Sequence, residues 1–220
     1  MSLERVLEPE VMDTPDEARD YDAMDHAAVN ERFVTDLLSA GFAGGDVLDL
    51  GTGTALIPIE LCRRHPECRV MAVDLSIHML ELARYNIEVA GLIERITLAH
   101  VDAKSLPHAD GQFDAVISNS IVHHIPEPLA VLRDSVRVCR SGGRLFFRDL
   151  LRPESDAQVR QLVATYAGQE NERQQKMFDD SLRAALSLAE IRQLVETLDF
   201  DPANVAATSD RHWTWSALKV

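Results

Sequence analysis

Residues 47–61 constrain the fold of this chain more than any other stretch. They read VLDLGTGTALIPIEL, an apolar run of strand length, two glycines separated by one residue, and then apolar residues at helical spacing. Gly51 and Gly53 lack a Cβ and adopt positive φ without strain, so this turn lets a ligand approach the backbone closely. The N–H groups at the start of the following helix point toward the same place. The stretch therefore predicts a strand, a tight turn and a helix that favour ligand binding, although an ordinary βα turn would use the same glycines.

The same alternation continues along the chain. Further strands are predicted at residues 69–74, 96–101, 113–118 and 144–150, and amphipathic helices at 24–40, at 77–90 and after Pro128. The helix after Pro128 is expected to carry Cys139 on its apolar stripe and to end at Gly142. Two short terminal strands follow at 205–208 and 213–220. Strands that alternate with helices indicate a parallel, doubly wound α/β sheet, which binds ligands beyond the carboxyl ends of its strands.

Polar side chains stand at the ends of four predicted strands: Asp49, Asp74, Asp102 and Asn119. Because the carboxyl ends of parallel strands share one edge of a sheet, we expect these side chains to gather there. The carboxylate of Asp74 suits the two hydroxyls of a ribose, and Asp102 with the N–H of Ala103 suits an adenine. Taken singly, Asp74 also fits a surface acid or a helix N-cap, and Asp102 fits a loop-capping acid.

Leu56 occupies the position that a dinucleotide-binding fingerprint reserves for its third glycine, which leaves an adenosyl cofactor without a pyrophosphate as a candidate. With these features the chain resembles the class I S-adenosylmethionine-dependent methyltransferases. The resemblance covers residues 21–150 and rests on the motifs at 47–55, 72–74, 100–103, 113–119 and 142–145. It departs from the commonest pattern at Ala55, where a third glycine is usual. It implies a Rossmann-like sheet of seven strands in the order 3-2-1-4-5-7-6, with an antiparallel last strand and helices on both faces.

The resemblance also implies which residues hold S-adenosylmethionine. The expected set is Asp49, Gly51, Gly53, Asp74, Leu75, Asp102, Ala103, Asn119 and Tyr21. Asp49 and the glycines would lie along the methionine part, and the backbone near Asn119 would meet its ammonium group. Tyr21 would cover the cofactor unless it packs against the core. The alternatives are a nicotinamide-dependent oxidoreductase and a non-catalytic protein that binds S-adenosylmethionine.

Composition and charge favour a small-molecule acceptor. The chain has 36 acidic and 22 basic side chains, and its net charge of −14 would repel a nucleic acid. A membrane is not an expected partner, because no apolar run reaches spanning length and the acidic N-terminus is unlike a secretory signal. Residues 119–125 lack the Asn/Asp-Pro-Pro-aromatic sequence of amino-methylating nucleic-acid enzymes. They resemble the same stretch in ubiquinone and menaquinone biosynthesis methyltransferases.

Three residues are candidates for catalysis: His123, His124 and Asp149. Methyl transfer needs a general base only when the acceptor is protonated, and an imidazole near its ordinary pKa takes up a proton at neutral pH. A simpler interpretation is that one histidine packs or hydrogen-bonds near the cofactor. Asp149 ends the fifth predicted strand, where an acid is costly to bury unless it has a role.

Arg148, Arg152 and Trp213 are candidates for binding an anionic or planar acceptor. The alternatives are an ion pair with a covering helix for Arg148, and a surface turn followed by a core strand for Arg152 and Trp213. No metal site is expected, because the sequence shows no cluster of metal ligands.

The chain is expected to form one methyltransferase domain over residues 1–220, with an N-terminal arm and helix in 1–40. Residues 151–186 are longer than a simple connection needs, and they predict two short helices joined by a polar run at 168–176. This insertion would either cover the substrate or make a subunit contact, so a homodimer is one candidate assembly. Three cysteines without metal-ligand spacing favour small buried thiols and a reducing, cytoplasmic location: Cys62, Cys68 and Cys139.

Overall fold

The computed structural model describes residues 3–8, 14, 19, 22 and 27–220. Its sheet has seven strands in the order β3-β2-β1-β4-β5-β7-β6. The strands are β1 Asp46–Leu50, β2 Arg69–Asp74, β3 Ile96–His100, β4 Phe113–Asn119, β5 Cys139–Leu150, β6 Val205–Ala207 and β7 His212–Leu218. Strand β1 pairs in parallel with β2 and β4, and β2 pairs in parallel with β3, whereas β6 and β7 are antiparallel. The predicted strand order and the Rossmann-like α/β class are confirmed.

The register of the central strands brings the strand-end acids to one edge of the sheet. Leu50 pairs with Val73, and Asp74 pairs with His100, so the three parallel strands end almost level. Asp49 is the penultimate residue of β1, Asp74 is the last residue of β2, and Asp102 follows the end of β3 by two positions. The convergence that the sequence predicted is therefore present in the fold.

The helices follow the predicted order. They are α1 Ala27–Ser39, α2 Leu56–Arg64, α3 Ile77–Ala90, α4 Pro128–Val138, α5 Asp156–Tyr166, α6 Glu172–Ala184 and α7 Leu188–Thr197. Short 3-10 helices lie at Val122–His124 and Pro202–Asn204. Local signals mark two helix ends: Gly91 ends α3 with φ 69°, and a capping box of Ser187 and Glu190 begins α7.

Three local predictions were wrong. Cys139 begins strand β5 rather than lying on α4, because the backbone at Gly142 pairs with Lys219 (N to O, 2.7 Å) and this distant pairing overrides the helical pattern. The polar run at 168–176 is partly helical, since Asn171 caps α6 from Glu172 onward. Tyr166 points outward and is 42% exposed, although its spacing placed it on the apolar stripe of α5.

Contacts divide the chain into two compact units. The first unit comprises the described residues within 1–10, together with 120–129 and 148–215, and the second comprises those within 11–119, with 130–147 and 216–220. In the second unit, the apolar face of α1 packs on the sheet, where Phe33 meets Phe146 edge-on at 5.1 Å between ring centroids. In the first unit, α5 and α6 bury a smaller core that includes Leu162 and Leu182. None of the helices among the described residues has the length and apolar character needed to cross a membrane.

Candidate functional site

The turn between β1 and α2 has the backbone conformation that its glycines predicted. Gly51 and Gly53 have φ of 66° and 55°, and Ala55 also lies in the left-handed region with φ 62°. Ala55 is the N-cap of α2 and makes no side-chain capping bond, so the first N–H groups of this helix have no side-chain acceptor from it. The turn therefore presents backbone donors in the way that an anionic or polar ligand requires.

A cleft opens beside this turn within the second unit. It is lined by Asn30, Asp49, Gly51, Thr52, Thr54, Leu56, Ile57 and Asn119. Asn119 Oδ1 is buried and has no hydrogen-bond partner among the residues that the structure describes. Buried polar atoms are usually hydrogen-bonded, so this oxygen indicates a ligand with a donor group. Asp49, Gly51 and Asn119, three of the residues expected to hold a cofactor, all line this cleft.

Asp49 is the most strongly perturbed acid of the cleft. It is 2% exposed. Burial, reinforced by the nearby carboxylate of Asp74, raises the pKa of Asp49 to about 7. A cationic ligand would stabilise the ionised form of this carboxyl group, which burial disfavours.

Asp74 is anchored by backbone donors on two sides. Its Oδ2 accepts from the Gly53 N–H at 2.8 Å, and its Oδ1 accepts from the Ser76 N–H at 2.8 Å. Burial raises the pKa of this carboxyl above its ordinary value. The residue predicted to bind a ribose therefore also holds the glycine turn. The alternative of Asp74 as a helix N-cap is wrong, because Ser76 caps α3 by accepting from Met79 N.

The other predicted adenosine-binding residues lie at the same edge but less deeply. Leu75 is half-buried, and its carbonyl lies 2.9 Å from His100 Nε2. Asp102 Oδ1 accepts from the Lys104 N–H at 2.9 Å, so this acid caps its own loop. Ala103 lies between Asp102 and Lys104 in the sequence and is half-buried. The same Oδ1 of Asp102 lies 3.2 Å from Lys104 Nζ, so both of these contacts of the carboxylate are within its own loop.

A separate polar cluster lies in the first unit around Asp149. This carboxylate is 1% exposed, and its Oδ1 lies 2.5 Å from His123 Nδ1. Its oxygens also accept from the backbone N–H groups of Val122 and Leu150, each at 2.6 Å. Although burial opposes ionisation, the charge of His123 and these donors hold the pKa of Asp149 below its ordinary value. The same pairing raises the pKa of His123 against its own burial.

Glu8 joins this cluster from the N-terminal segment. Its Oε1 lies 3.4 Å from His123 Nε2 and 3.2 Å from His124 Nδ1. Arg5 fixes the segment by donating to the carbonyls of His123 and Ile125, each at 3.0 Å. No sequence signal pointed to Glu8 or Arg5, because the N-terminal residues have no periodic pattern and lie far along the chain from the histidines.

The two predicted acceptor-binding arginines bind residues outside this cluster, and the predicted tryptophan is buried in the core. Arg148 is buried, and its Nε donates to Thr214 Oγ1 at 2.9 Å. Arg152 donates to Glu190 Oε1 at 2.7 Å and to the Ala185 carbonyl at 3.0 Å, so it anchors the start of α7. Trp213 is 0% exposed in β7. The prediction of an aromatic wall at Trp213 is corrected, since a fully buried core ring offers no face to an acceptor. Tyr21 lies outside the described residues.

Comparisons with known proteins identify relatives of this chain. A family model for the methyltransferase domain matches residues 48–147. The malonyl-(acyl-carrier protein) O-methyltransferase of Geobacter sulfurreducens is 33% identical over 192 residues, which cover 84% of this chain and 70% of that protein. The ubiquinone/menaquinone biosynthesis C-methyltransferase UbiE of Desulfotalea psychrophila is 35% identical over 123 residues, which cover 56% of this chain and 48% of that protein.

Solved structures agree on the fold. The crystal structure of a SAM-dependent methyltransferase from Aquifex aeolicus superposes with a TM-score of 0.71 and 18% sequence identity, covering 94% of this chain and 99% of that one. At this identity the likeness concerns the arrangement of strands and helices alone. The sequence relatives are methyltransferases, and the solved structure independently shows the same fold.

Proposed function

The chain belongs to the class I S-adenosylmethionine-dependent methyltransferases, and we propose that the cleft beside the β1–α2 turn is where it holds the cofactor. The observation that carries this proposal is a buried acid, Asp49, in one cleft with a buried amide oxygen, Asn119 Oδ1, that has no partner among the described residues. The relatives are methyltransferases, and the nicotinamide-dependent alternative is not favoured by them.

The methionine part of the cofactor would lie along the turn. Gly51 and Gly53 let the ligand approach the backbone, Asp49 faces its cationic groups, and Asn119 accepts from its ammonium group. Bound S-adenosylmethionine supplies a methyl group made electrophilic by the sulfonium sulfur. The protein's own contribution is to align that methyl group with the acceptor and to exclude water.

The adenosine part would lie over the ends of β2 and β3. The carboxylate of Asp74 would accept from the ribose hydroxyls while it continues to hold the Gly53 N–H. Leu75 would pack beside the ribose, and the carboxylate of Asp102 with the N–H of Ala103 would bind the adenine. Tyr21 would cover the cofactor.

The acceptor is proposed to be a small molecule, methylated in the cytoplasm. The charge of −14 supports this, because it disfavours a nucleic acid. The three cysteines are free and buried, which fits a reducing compartment. The relatives' names specify a malonyl-(acyl-carrier protein) in one case and ubiquinone/menaquinone biosynthesis in the other, so the relatives differ in their acceptors.

His124 is proposed to take up the proton that a protonated acceptor loses, with His123 packed beside it and held by Asp149. Asp149 orients His123, and His124 is the more exposed imidazole, with 16% of its side chain accessible against 4% for His123. Replacing His124 by Ala is expected to lower turnover by about 10²–10⁴-fold and to leave cofactor binding unchanged. Single-turnover kinetics and calorimetry with S-adenosylhomocysteine measure the two effects, and a fully active His124→Ala would remove this role.

The acceptor is best identified by incubating the protein with methyl-labelled S-adenosylmethionine and a metabolite extract, followed by analysis of labelled products. We expect a labelled small molecule. Label in nucleic acid alone would contradict the proposed acceptor class. A thermal shift with S-adenosylhomocysteine but no labelled product in any extract would favour a non-catalytic binding protein.

A further inference from the structure

Three metal-ligating atoms meet in the first unit, although the sequence predicted no metal site. Glu8 Oε1, His123 Nε2 and His124 Nδ1 all lie within 4.8 Å of one another. Their side chains are 11%, 4% and 16% exposed. Two neutral imidazoles and one carboxylate form a donor set that suits Zn²⁺.

Asp149 determines which nitrogen of His123 faces this meeting point. Its Oδ1 accepts from His123 Nδ1 at 2.5 Å, and the backbone bonds from Val122 and Leu150 fix the carboxylate in turn. A neutral imidazole that donates from Nδ1 carries a lone pair at Nε2. In its neutral form, which metal binding requires, His123 directs the lone pair of Nε2 toward Glu8. Metal-binding histidines are commonly oriented by a carboxylate at the other ring nitrogen.

Glu8 Oε1 is arranged as a metal ligand rather than as a hydrogen-bond acceptor. It is buried and makes no hydrogen bond to any residue that the structure describes. Its distances of 3.4 Å to His123 Nε2 and 3.2 Å to His124 Nδ1 are close to the edge of a coordination polyhedron. Metal–ligand bonds of about 2.1 Å give edges of roughly 3.0 Å at a right angle and 3.4 Å at a tetrahedral angle.

The surrounding charges also favour a cation. The carboxylates of Glu8 and Asp149 both face His123, and Arg5 directs its guanidinium to the backbone carbonyls of His123 and Ile125. Ser181 donates to the second oxygen of Glu8 at 3.2 Å and so holds the carboxylate in place. Glu8 and His123 are thus each supported by an outer contact, as is common in preformed metal sites.

We propose that Glu8, His123 and His124 bind one Zn²⁺-class divalent ion, with Asp149 as the carboxylate that orients His123. The partly exposed side at His124 leaves room for a water as the fourth ligand. Binding is a property of the first unit alone, so the inference does not depend on the proposed cofactor or acceptor. With the ion bound, His123 has no nitrogen left to take up a proton, and His124 keeps only Nε2 for that role.

The test is a titration of the whole chain after treatment with a chelator and in the absence of S-adenosylmethionine. Calorimetry with Zn²⁺ should give one equivalent bound with a dissociation constant below about 1 μM. Co²⁺ should produce the visible absorption of a four- or five-coordinate site, and excess Mg²⁺ should not compete, since it prefers oxygen ligands.

Glu8→Gln keeps the size of the side chain and removes the anionic ligand, so Zn²⁺ binding should weaken by about 10–100-fold at an unchanged melting temperature. The matched control is His78→Gln, which removes a histidine that faces Glu81 at 3.7 Å on α3 without a second imidazole. It should bind Zn²⁺ as the unmodified protein does. No stoichiometric binding, or equal binding by Glu8→Gln, would overturn the proposal and leave a hydrogen-bonded network only.

Discussion

Two buried carboxylates, one in each unit, have opposite electrostatic surroundings. Asp149 is met by an imidazole and by backbone N–H groups, and its pKa lies below the ordinary value. Asp49 is equally buried, but burial outweighs its partners and raises its pKa to about 7. A carboxylate supplied with donors stabilises the fold that surrounds it, whereas one without them is costly until a ligand arrives. The contrast separates an acid that the protein's own donors keep ionised from an acid whose ionisation is disfavoured by burial.

The largest expected effect is a difference in stability between two matched substitutions. Asp149→Asn places an amide against backbone donors and His123, and it should lower the free energy of unfolding by about 3 kcal/mol. Asp49→Asn keeps the volume of the side chain and removes a buried charge. It should leave the free energy of unfolding unchanged or higher at pH 8. Urea denaturation of both variants at pH 8 makes the comparison. Equal destabilisation would mean that Asp49 is as well supported as Asp149.

The next effect concerns cofactor affinity. Asp74→Ala removes the proposed ribose acceptor and the acceptor for the Gly53 N–H, so binding of S-adenosylhomocysteine should weaken by about 100-fold. Calorimetry measures the loss. Asp46→Ala is the control, because this acid pairs with Arg69 at 2.9 Å at the amino end of β1 and should retain affinity. Unchanged binding by Asp74→Ala would show that the ribose is held elsewhere.

A smaller effect is expected from pH. Ionised Asp49 attracts the ligand's ammonium group, and protonation below its pKa of about 7 removes that attraction. Affinity for S-adenosylhomocysteine should therefore fall about tenfold as pH decreases from 8 to 6. The sign is opposite for stability, because a raised folded pKa means that ionisation of Asp49 lowers the free energy of unfolding as pH rises from about 4 to 7. Asp49→Asn should flatten the affinity profile, and a persisting slope would assign it to another group.

The smallest effect is at the turn itself. Ala55 is buried with φ 62°, a conformation that costs an L-residue about 1 kcal/mol and costs glycine nothing. Ala55→Gly should change the free energy of unfolding by less than about 1 kcal/mol, since relieved strain is offset by the greater entropy of glycine in the unfolded chain. Thermal unfolding with and without S-adenosylhomocysteine measures it. A large loss of stability would mean that the Ala55 methyl group contributes more packing than strain.

Periodic patterns predicted the alternating strands and helices and the acids at the edge of the sheet, because strand and helix periods are local properties of the sequence. The order of the strands came from the resemblance to the methyltransferase family. The capping box that begins α7 is likewise a local signal, since Ser187 and Glu190 lie three residues apart. The partners of Glu8 and Arg152 were not predictable, since each depends on which distant segment packs beside it. Cys139 shows the same limit within one element, because pairing with the end of the chain decided between helix and strand.

The bond from the Gly53 N–H to Asp74 makes a single carboxylate part of both the turn and the proposed ribose site. Redesigning the second strand end for a nucleoside with a different sugar would therefore also loosen the loop that positions the amino-acid end of the ligand. A successful exchange of cofactor would need a compensating acceptor for that amide, introduced together with the new residue at position 74.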